Sequence, residues 1–202
     1  TTRDEDFVEH LFIASTHSYI LFFTTVGKVY WIKVHEIPQG SRTARGKALI
    51  NLLPLREGER ISAFLPVREF KEGNFLVFAT RKGLVKKTEL MSYSNPRRDG
   101  IIALALEDDD EVIGVRLTDG QQEVLLSTKS GQAIRFPEDD VRSTGRGTYG
   151  VKGISIDEDD AVVSLETINK EATLLTVSSR GYGKRSEVDG YRIQSRGGKG
   201  II

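Results

Sequence analysis

The chain contains no cysteine, three histidines (His10, His17 and His35), one methionine and one tryptophan in 202 residues, and its 29 basic residues are matched by 29 acidic ones. Each shortage removes a class of protein. Without Cys there is no disulfide framework and no Cys/His zinc site, and three scattered His offer no metal-ligand spacing. No apolar run approaches the roughly 18 residues that a membrane span requires, so no membrane partner is expected. The opening Thr1-Thr2-Arg3-Asp4-Glu5-Asp6 lacks the basic start and apolar stretch of a secretory signal, which points to a cytoplasmic location. A net charge of zero excludes a uniformly basic nucleic-acid binder, but it leaves open how the charges are arranged. No segment sustains a 3.6-residue apolar period, so little helix is expected.

What the sequence does have is repetition. Four segments share one pattern: Ile20-Leu-Phe-Phe-Thr-Thr-Val-Gly27-Lys-Val-Tyr-Trp, Phe75-Leu-Val-Phe-Ala-Thr-Arg-Lys-Gly83-Leu-Val-Lys-Lys, Val124-Leu-Leu-Ser-Thr-Lys-Ser-Gly131-Gln-Ala-Ile-Arg and Leu174-Leu-Thr-Val-Ser-Ser-Arg-Gly181-Tyr-Gly-Lys-Arg. Each reads as a strand, a tight turn with Gly and a second strand, with a hydroxyl residue three before the Gly (Thr24, Thr80, Thr128, Ser178). A second recurrence predicts third strands at Lys47-Ala-Leu-Ile-Asn-Leu, Asp99-Gly-Ile-Ile-Ala-Leu, Lys152-Gly-Ile-Ser-Ile and Lys199-Gly-Ile-Ile. A third predicts fourth strands at Asp6-Phe7-Val8, Arg60-Ile61-Ser62, Glu111-Val112-Ile113 and Ala161-Val162-Val163. A period of roughly 50 residues with four short strands per unit describes an all-β, propeller-like array of four-stranded blades. The expected blades are 1–57, 58–108, 109–158 and 159–202, the last incomplete. The chain is expected to open on a fourth strand (Asp6 to Ile13) and to stop on a third (Gly200-Ile-Ile202). Either the first strand closes a ring with the last blade or the chain is a piece of a longer array, and the second reading is preferred.

Charge follows position in the repeat. The loop between hairpin and third strand is basic in every copy: Arg42, Arg45 and Lys47; Arg97 and Arg98; Arg142, Arg146 and Lys152; Arg192, Arg196 and Lys199. The hairpins add Lys28 and Lys33; Arg81, Lys82, Lys86 and Lys87; Lys129 and Arg135; and Arg180, Lys184 and Arg185. Acidic residues gather before the fourth strand: Glu57 and Glu59; Glu107, Asp108, Asp109, Asp110 and Glu111; and Asp157, Glu158, Asp159 and Asp160. If the repeats are equivalent in space, the basic positions form one track for a polyanion, and the acidic runs lie apart as solvated loops.

Motifs that suggest chemistry lack its context. Gly145-Arg-Gly147-Thr-Tyr-Gly150 has the G-x-G-x-x-G spacing, but the following Val151-Lys-Gly-Ile-Ser-Ile156 reads as a strand where a dinucleotide site requires a helix. His17 near Ser15 and Thr16 reads as a solvated turn rather than a nucleophile and base. The acidic runs lack the fixed alternation of an EF-hand loop. Tyr30 and Trp31 could stack on bases, yet they stand in an apolar strand where packing is the expected role. No catalytic residue, metal site or cofactor is assigned to this chain.

The repeat resembles the family of the C-terminal domains of the DNA gyrase A subunit, with the corresponding domain of topoisomerase IV as nearest relative. The resemblance rests on Glu5-Asp-Phe-Val-Glu-His-Leu-Phe-Ile-Ala-Ser-Thr-His, Gly27-Lys-Val-Tyr, Arg42-Thr-Ala-Arg-Gly-Lys-Ala-Leu-Ile-Asn-Leu-Leu-Pro-Leu, Lys82-Gly-Leu-Val-Lys-Lys-Thr, Asp110-Glu-Val-Ile-Gly-Val and Gly181-Tyr-Gly-Lys-Arg. It implies a β-pinwheel, in which neighbouring blades exchange strands and double-stranded DNA wraps around a basic outer rim in support of negative supercoiling. It also implies that the partners are the rest of the gyrase A subunit and the gyrase B subunit, and that ATP and Mg serve other parts of the holoenzyme. The family's box, Gln-Arg-Arg-Gly-Gly-Lys-Gly, is approached by Gln194-Ser195-Arg196-Gly197-Gly198-Lys199-Gly200, with Ser195 in place of Arg. That marks this copy as a late blade with a degenerate box. The alternatives are a topoisomerase IV-type domain or a protein-interaction propeller without nucleic acid.

Overall fold

The structure is a computed structural model that describes residue 8 and residues 10–41, 43–169 and 171–202. Among the described residues there are β-strands and short 3-10 turns but no α-helix. The four predicted hairpins form: β1 (Tyr19–Thr24) with β2 (Lys28–Lys33), β4 (Phe75–Thr80) with β5 (Leu84–Glu89), β8 (Glu123–Thr128) with β9 (Ala133–Pro137), and β12 (Thr173–Val177) with β13 (Gly183–Glu187).

The turn chemistry explains the threonine three before the glycine in the first three hairpins. The Gly27, Gly83 and Gly131 amides donate to the carbonyls of Thr24, Thr80 and Thr128, each at 3.0 Å. The threonine hydroxyls then accept the next amides, from Lys28 (3.2 Å), Leu84 (3.1 Å) and Gln132 (3.2 Å). Gly27 adopts φ 75°, a region that a side chain makes costly, so glycine closes the turn.

The remaining strands are β3 (Ile61–Val67), β6 (Ile101–Ile102), β7 (Val112–Thr118), β10 (Val151–Lys152) and β11 (Val162–Ile168). β3, β7 and β11 each return to the first strand of the hairpin before them, pairing with β1, β4 and β8. β6 and β10 instead cross to the second strand of the previous repeat, β2 and β5, and Ile201 bridges to Ala133 of β9 in the same manner. Complete sheets therefore run β3-β1-β2-β6 and β7-β4-β5-β10, each built from consecutive repeats. The expected boundaries at 57/58 and 108/109 fall inside these sheets, and 158/159 separates β11 from its partner β8.

Three strand expectations are corrected. Lys47 to Leu52 contains a 3-10 turn (Leu49–Asn51), because a third strand pairs with a preceding hairpin and none precedes it among the described residues. In the third copy the strand is Val151–Lys152 rather than the expected Lys152-Gly-Ile-Ser-Ile. The amide pairs of Ala103/Leu104 and of Gly153/Ile154 both donate to a turn-glycine carbonyl, of Gly27 and Gly83, so Gly150 matches Gly100. The expected opening strand, Asp6 to Ile13, lies partly outside the described residues, and Val8 and 10–13 form no strand. His10 and Phe12 pack against Phe64 of β3, at 5.0 and 4.6 Å between ring centroids.

The core lies between sheets. Leu21, Phe23 and Val29 of the first sheet meet Leu76, Phe78 and Val115 of the second, with Phe23 and Phe78 edge to face at 5.4 Å. Val77, Ala79 and Val85 on the second sheet's opposite face meet Val124, Leu126, Ile134 and Phe136 of the third. Successive sheets converge along β3, β7 and β11, where Arg116 of β7 forms a two-pronged pair with Glu166 of β11 (2.8 and 3.2 Å). The edges carrying β6 and β10 are left on the opposite side.

Candidate nucleic-acid interface

Three basic loops line the edge opposite the convergence. Residues 94–100 lead into β6 beside β2. Residues 142–150 lie beside β5, with Ser143 bridged to Lys87 and Val151 paired with Val85. Residues 192–200 lie beside β9, with Ile193 bridged to Arg135. The repeat places them equivalently, and the main chain joins them in series. The Ala105 amide, just past the first loop, donates to Thr148 of the second (3.1 Å). Past the second loop, the Ser155 amide donates to Gly198 of the third (2.8 Å), and the Gly197 amide donates to Gly153 (2.6 Å). A cleft of about 430 Å³ lined by Ile50, Asn51 and Pro54 on one side and Pro96, Arg97 and Arg98 on the other brings residues 50–54 of the first repeat to the same edge.

The cations predicted for a polyanion track divide into three groups. Arg45, Lys47, Arg97, Arg98, Arg142, Lys152 and Arg192 are exposed, Arg146 is half-buried, and their side chains have no acceptor among the described residues. Arg196 and Lys199 also lie in these loops. Arg196 is partly committed, donating to the carbonyls of Asp140 (2.8 Å) and Lys152 (3.0 Å), and Lys199 stands 3.5 Å from Asp157. Arg42 lies outside the described residues. Lys184 and Arg185, with Arg180 at the turn, are exposed on the last hairpin.

The second group sits at the hairpin turns, a different edge of the sheet, against the acidic runs. Arg81 donates to the Asp109 carbonyl (2.7 Å) and lies 3.7 Å from Glu111, and Lys82 donates to the Asp108 carbonyl (2.7 Å). Lys129 occupies the equivalent turn of the third hairpin, beside Asp160. The expectation that turn and loop cations share one track is therefore corrected for Arg81 and Lys82, which lie at the turn edge, Arg81 beside the Glu111 carboxylate and Lys82 held by a main-chain carbonyl. Nor are the acidic runs wholly solvated. Asp110 accepts the amides of Lys82 and Glu111, both at 2.9 Å, and Asp160 accepts those of Ser130 (2.9 Å) and Ala161 (2.8 Å), so each latches a hairpin turn. Burial works to raise Asp160, but hydrogen bonds from the Thr128 hydroxyl, these two amides and the Ser130 hydroxyl outweigh it and hold the carboxyl below its usual range.

The third group is buried, and here the expectation of phosphate contact fails. Lys86, Lys87 and Arg135 are 2%, 5% and 4% exposed, too enclosed to meet a phosphate. Lys87 Nζ donates to the Glu138 carbonyl (3.0 Å). Arg135 pairs with Glu123 through Nε (2.6 Å) and donates through Nη1 to the carbonyls of Val188 (2.9 Å) and Tyr191 (3.1 Å). Trp31, at the same distance from its turn glycine, donates its indole N–H to the Tyr93 carbonyl (3.0 Å). In all three, the second hairpin strand anchors the 3-10 turn of the next repeat. The equivalence of Lys87 and Arg135 to Trp31 is the sequence signal that marks them as packing residues. Tyr30 is also a packing residue, and burial followed by its bond to Glu59 (3.1 Å) pushes its hydroxyl up to about 12.

Lys86 stands one place earlier in its strand. Its Nζ donates to the carbonyls of Ala103 (2.9 Å) and Arg146, and burial, then the nearby Arg146 charge, pushes it down to about 8. Among the described residues, no group of three or more His, Asp or Glu is placed to hold a metal ion, and no helix is long and apolar enough to cross a membrane. His17 is an exposed turn residue whose amide donates to Ser15 Oγ (3.4 Å).

Comparison with known proteins agrees with this architecture. A family model described as DNA gyrase C-terminal domain, beta-propeller, matches residues 18–68, 74–119, 122–169 and 172–202. The DNA gyrase A subunits of Salmonella typhimurium and Escherichia coli are 50% and 46% identical to this chain over 200 residues, covering 99% of it and 23% of each of theirs. The chain thus spans about a quarter of the length of these relatives. A crystal structure of the C-terminal domain of DNA topoisomerase IV superimposes with a TM-score of 0.84 at 32% identity, covering 93% of this chain and 58% of that one. A DNA gyrase A C-terminal domain does so with 0.79 at 28%, covering 93% and 60%. With its four matched repeats and strands exchanged between successive sheets, the chain belongs to the family of DNA gyrase C-terminal, beta-propeller domains.

Proposed function

We propose that this chain binds duplex DNA without sequence preference and bends it along the edge formed by the three loops. The observation that carries this reading is the serial arrangement of loops whose Arg97, Arg98, Arg142, Arg146 and Arg192 side chains have no acceptor among the described residues, while the turn cations Arg81 and Lys82 donate to main-chain carbonyls of the acidic run. A neutral chain carries a cationic edge in this way. Bending a 20–30 bp site by 40–90° costs on the order of 1–6 kcal/mol, which many modest phosphate contacts spread along a curved path can offset.

In this reading the chain is a non-catalytic DNA-wrapping domain of a cytoplasmic bacterial type II topoisomerase of the gyrase A kind. It acts with the rest of that subunit and with the gyrase B subunit to support negative supercoiling. Strand cleavage, ATP and Mg belong to the other parts. Identity to gyrase A subunits along nearly the whole chain favours that subunit over a topoisomerase IV-type domain.

The test is energy transfer between dyes at the ends of a duplex of about 40 bp, titrated across a salt series. If about eight phosphates are neutralised, log K falls against log salt with a slope near −7 and the dye ends approach each other. Glu substitution at Arg97, Arg98 and Arg146 flattens the slope, whereas Glu at Arg81 and Lys82 leaves it nearly unchanged. Equal losses from both sets would refute the loop edge as the track. Salt-sensitive binding to an acidic protein, with none to DNA, would favour an interaction scaffold.

A further inference from the structure

Lys86 is a buried cation that the strand itself does not require. Tyr30 and Ile134 occupy the same place in the first and third hairpins, three residues after the turn glycine, and both are buried. An uncharged side chain therefore fills this place in both neighbouring hairpins. Lys86 has no carboxylate partner among the described residues, and the charged or titratable groups facing it are Arg146 and Tyr93. Burying an ammonium without an anion is costly unless its N–H groups are used.

They are used to join separate parts of the rim. One N–H reaches the carbonyl of Ala103, in the segment following β6, where the Tyr93 hydroxyl also donates (3.2 Å). Another reaches the carbonyl of Arg146, within the middle basic loop. The loop's other ties run from the Thr144 amide to the Lys87 carbonyl (2.9 Å) and from the Ala105 amide to the Thr148 carbonyl (3.1 Å), on either side of Arg146. Lys86 thus supplies a hold on the main chain at the half-buried Arg146.

Building on the DNA-binding reading above, we propose that Lys86 is a positioning residue for the rim: from beneath the surface it fixes the main chain at Arg146, so that the middle loop meets a phosphate backbone already ordered. A loop ordered before binding pays less conformational entropy at each phosphate contact.

The experiment uses this chain with Lys86→Met, Lys86→Gln, Arg146→Ala and the Lys86→Met/Arg146→Ala double variant. Without DNA, tryptic cleavage after Arg146 reads the loop, and thermal unfolding reads the fold. With DNA, affinity and bending are measured on the same 40-bp duplex, a length of about four helical turns. Lys86→Met is expected to retain cooperative unfolding while its loop is cleaved about ten times faster, as local opening becomes easier. Its DNA affinity should fall about 3- to 10-fold, with a salt slope less steep by about one. Lys86→Gln, which keeps an N–H donor, should lie between it and the parent chain. The double variant should bind no more than about twofold worse than Arg146→Ala alone, because Lys86 acts through that residue.

Parental loop protection and parental DNA bending in Lys86→Met would overturn the role of Lys86 while leaving DNA binding intact, as would losses that multiply in the double variant. Failure of the parent chain to bind DNA would overturn the reading beneath it. If Lys86→Met fails to unfold cooperatively, Lys86→Gln decides the matter: parental cleavage and affinity in it, with Arg146→Ala impaired, support the donor role, and equal impairment of Lys86→Gln and Lys86→Met overturns it.

Discussion

The hairpins β4-β5 and β12-β13 share a strand, a glycine turn and a second strand, yet they live in opposite surroundings. Val77 is fully buried, whereas Leu175, at the same place in its repeat, is 65% exposed. Lys87 is buried against the next repeat's 3-10 turn, whereas its counterpart Arg185 is exposed. The difference does not arise within either hairpin. β4-β5 has a packed sheet on both faces and strands on both edges, whereas β12-β13 is a two-stranded sheet. Burial in this array is thus conferred by neighbours, as nearest-neighbour stabilisation of repeats requires.

The sharpest break in this comparison is truncation of a side chain between sheets. Phe78→Ala removes a ring lodged against Phe23 and Tyr93 and is expected to cost about 3–5 kcal/mol, while Leu175→Ala should stay within about 0.5 kcal/mol. Urea unfolding of both variants measures the contrast, and comparable costs would show that the last hairpin is buried in solution.

Next in size is the pair of cations four places after the turn glycine. Arg135→Ala leaves the half-buried Glu123 without this partner and removes the donor to Val188 and Tyr191, at an expected cost of about 3 kcal/mol. Arg185→Ala should leave the unfolding midpoint almost unmoved and, if this hairpin touches DNA, weaken binding modestly. Thermal unfolding beside a DNA titration separates the two effects.

The smallest effect is on pH dependence, and it sharpens the comparison at Lys86 and its exposed counterpart Lys184. Lys86 falls from 10.5 to about 8 on folding, so between those values the unfolded chain binds a proton that the folded chain has released. Stability from this group therefore rises with pH from about 8 to 10.5, and the burial penalty is fully present below 8. The expected rise of about 1–3 kcal/mol should vanish in Lys86→Met and persist in Lys184→Met. Denaturant midpoints at pH 7.5 and 10 read it, and a parental pH response in Lys86→Met would place the titration elsewhere.

The hairpins were legible because their causes are local. A hydroxyl accepting the amide after a glycine turn, flanked by β-branched and aromatic residues, acts within about a dozen residues. The third strands were harder to read, since β6 and β10 are short and are selected by a strand of the previous repeat. Gly153-Ile154 looked like Gly100-Ile101, yet the amide pairs on the turn glycines set Gly150 in that place. The candidate site shows the same division. Loop cations such as Arg97 and Arg98 lie where the repeat suggested, on one edge. Lys86, Lys87 and Arg135 resembled them in charge alone, and only their equivalence to Tyr30, Trp31 and Ile134 hinted that they point inward.

The sequence alone determined that this is an array of β-hairpins with basic loops at a constant place in each unit, because turn geometry and strand alternation are encoded by residues close together in the chain. Tertiary structure decided which sheet each short strand completes, which hairpin is buried and which cations stay exposed. Those outcomes depend on contacts between residues some 50 to 60 positions apart, where the same Lys or Arg becomes a surface charge or a buried donor according to the carbonyls and carboxylates its neighbours bring.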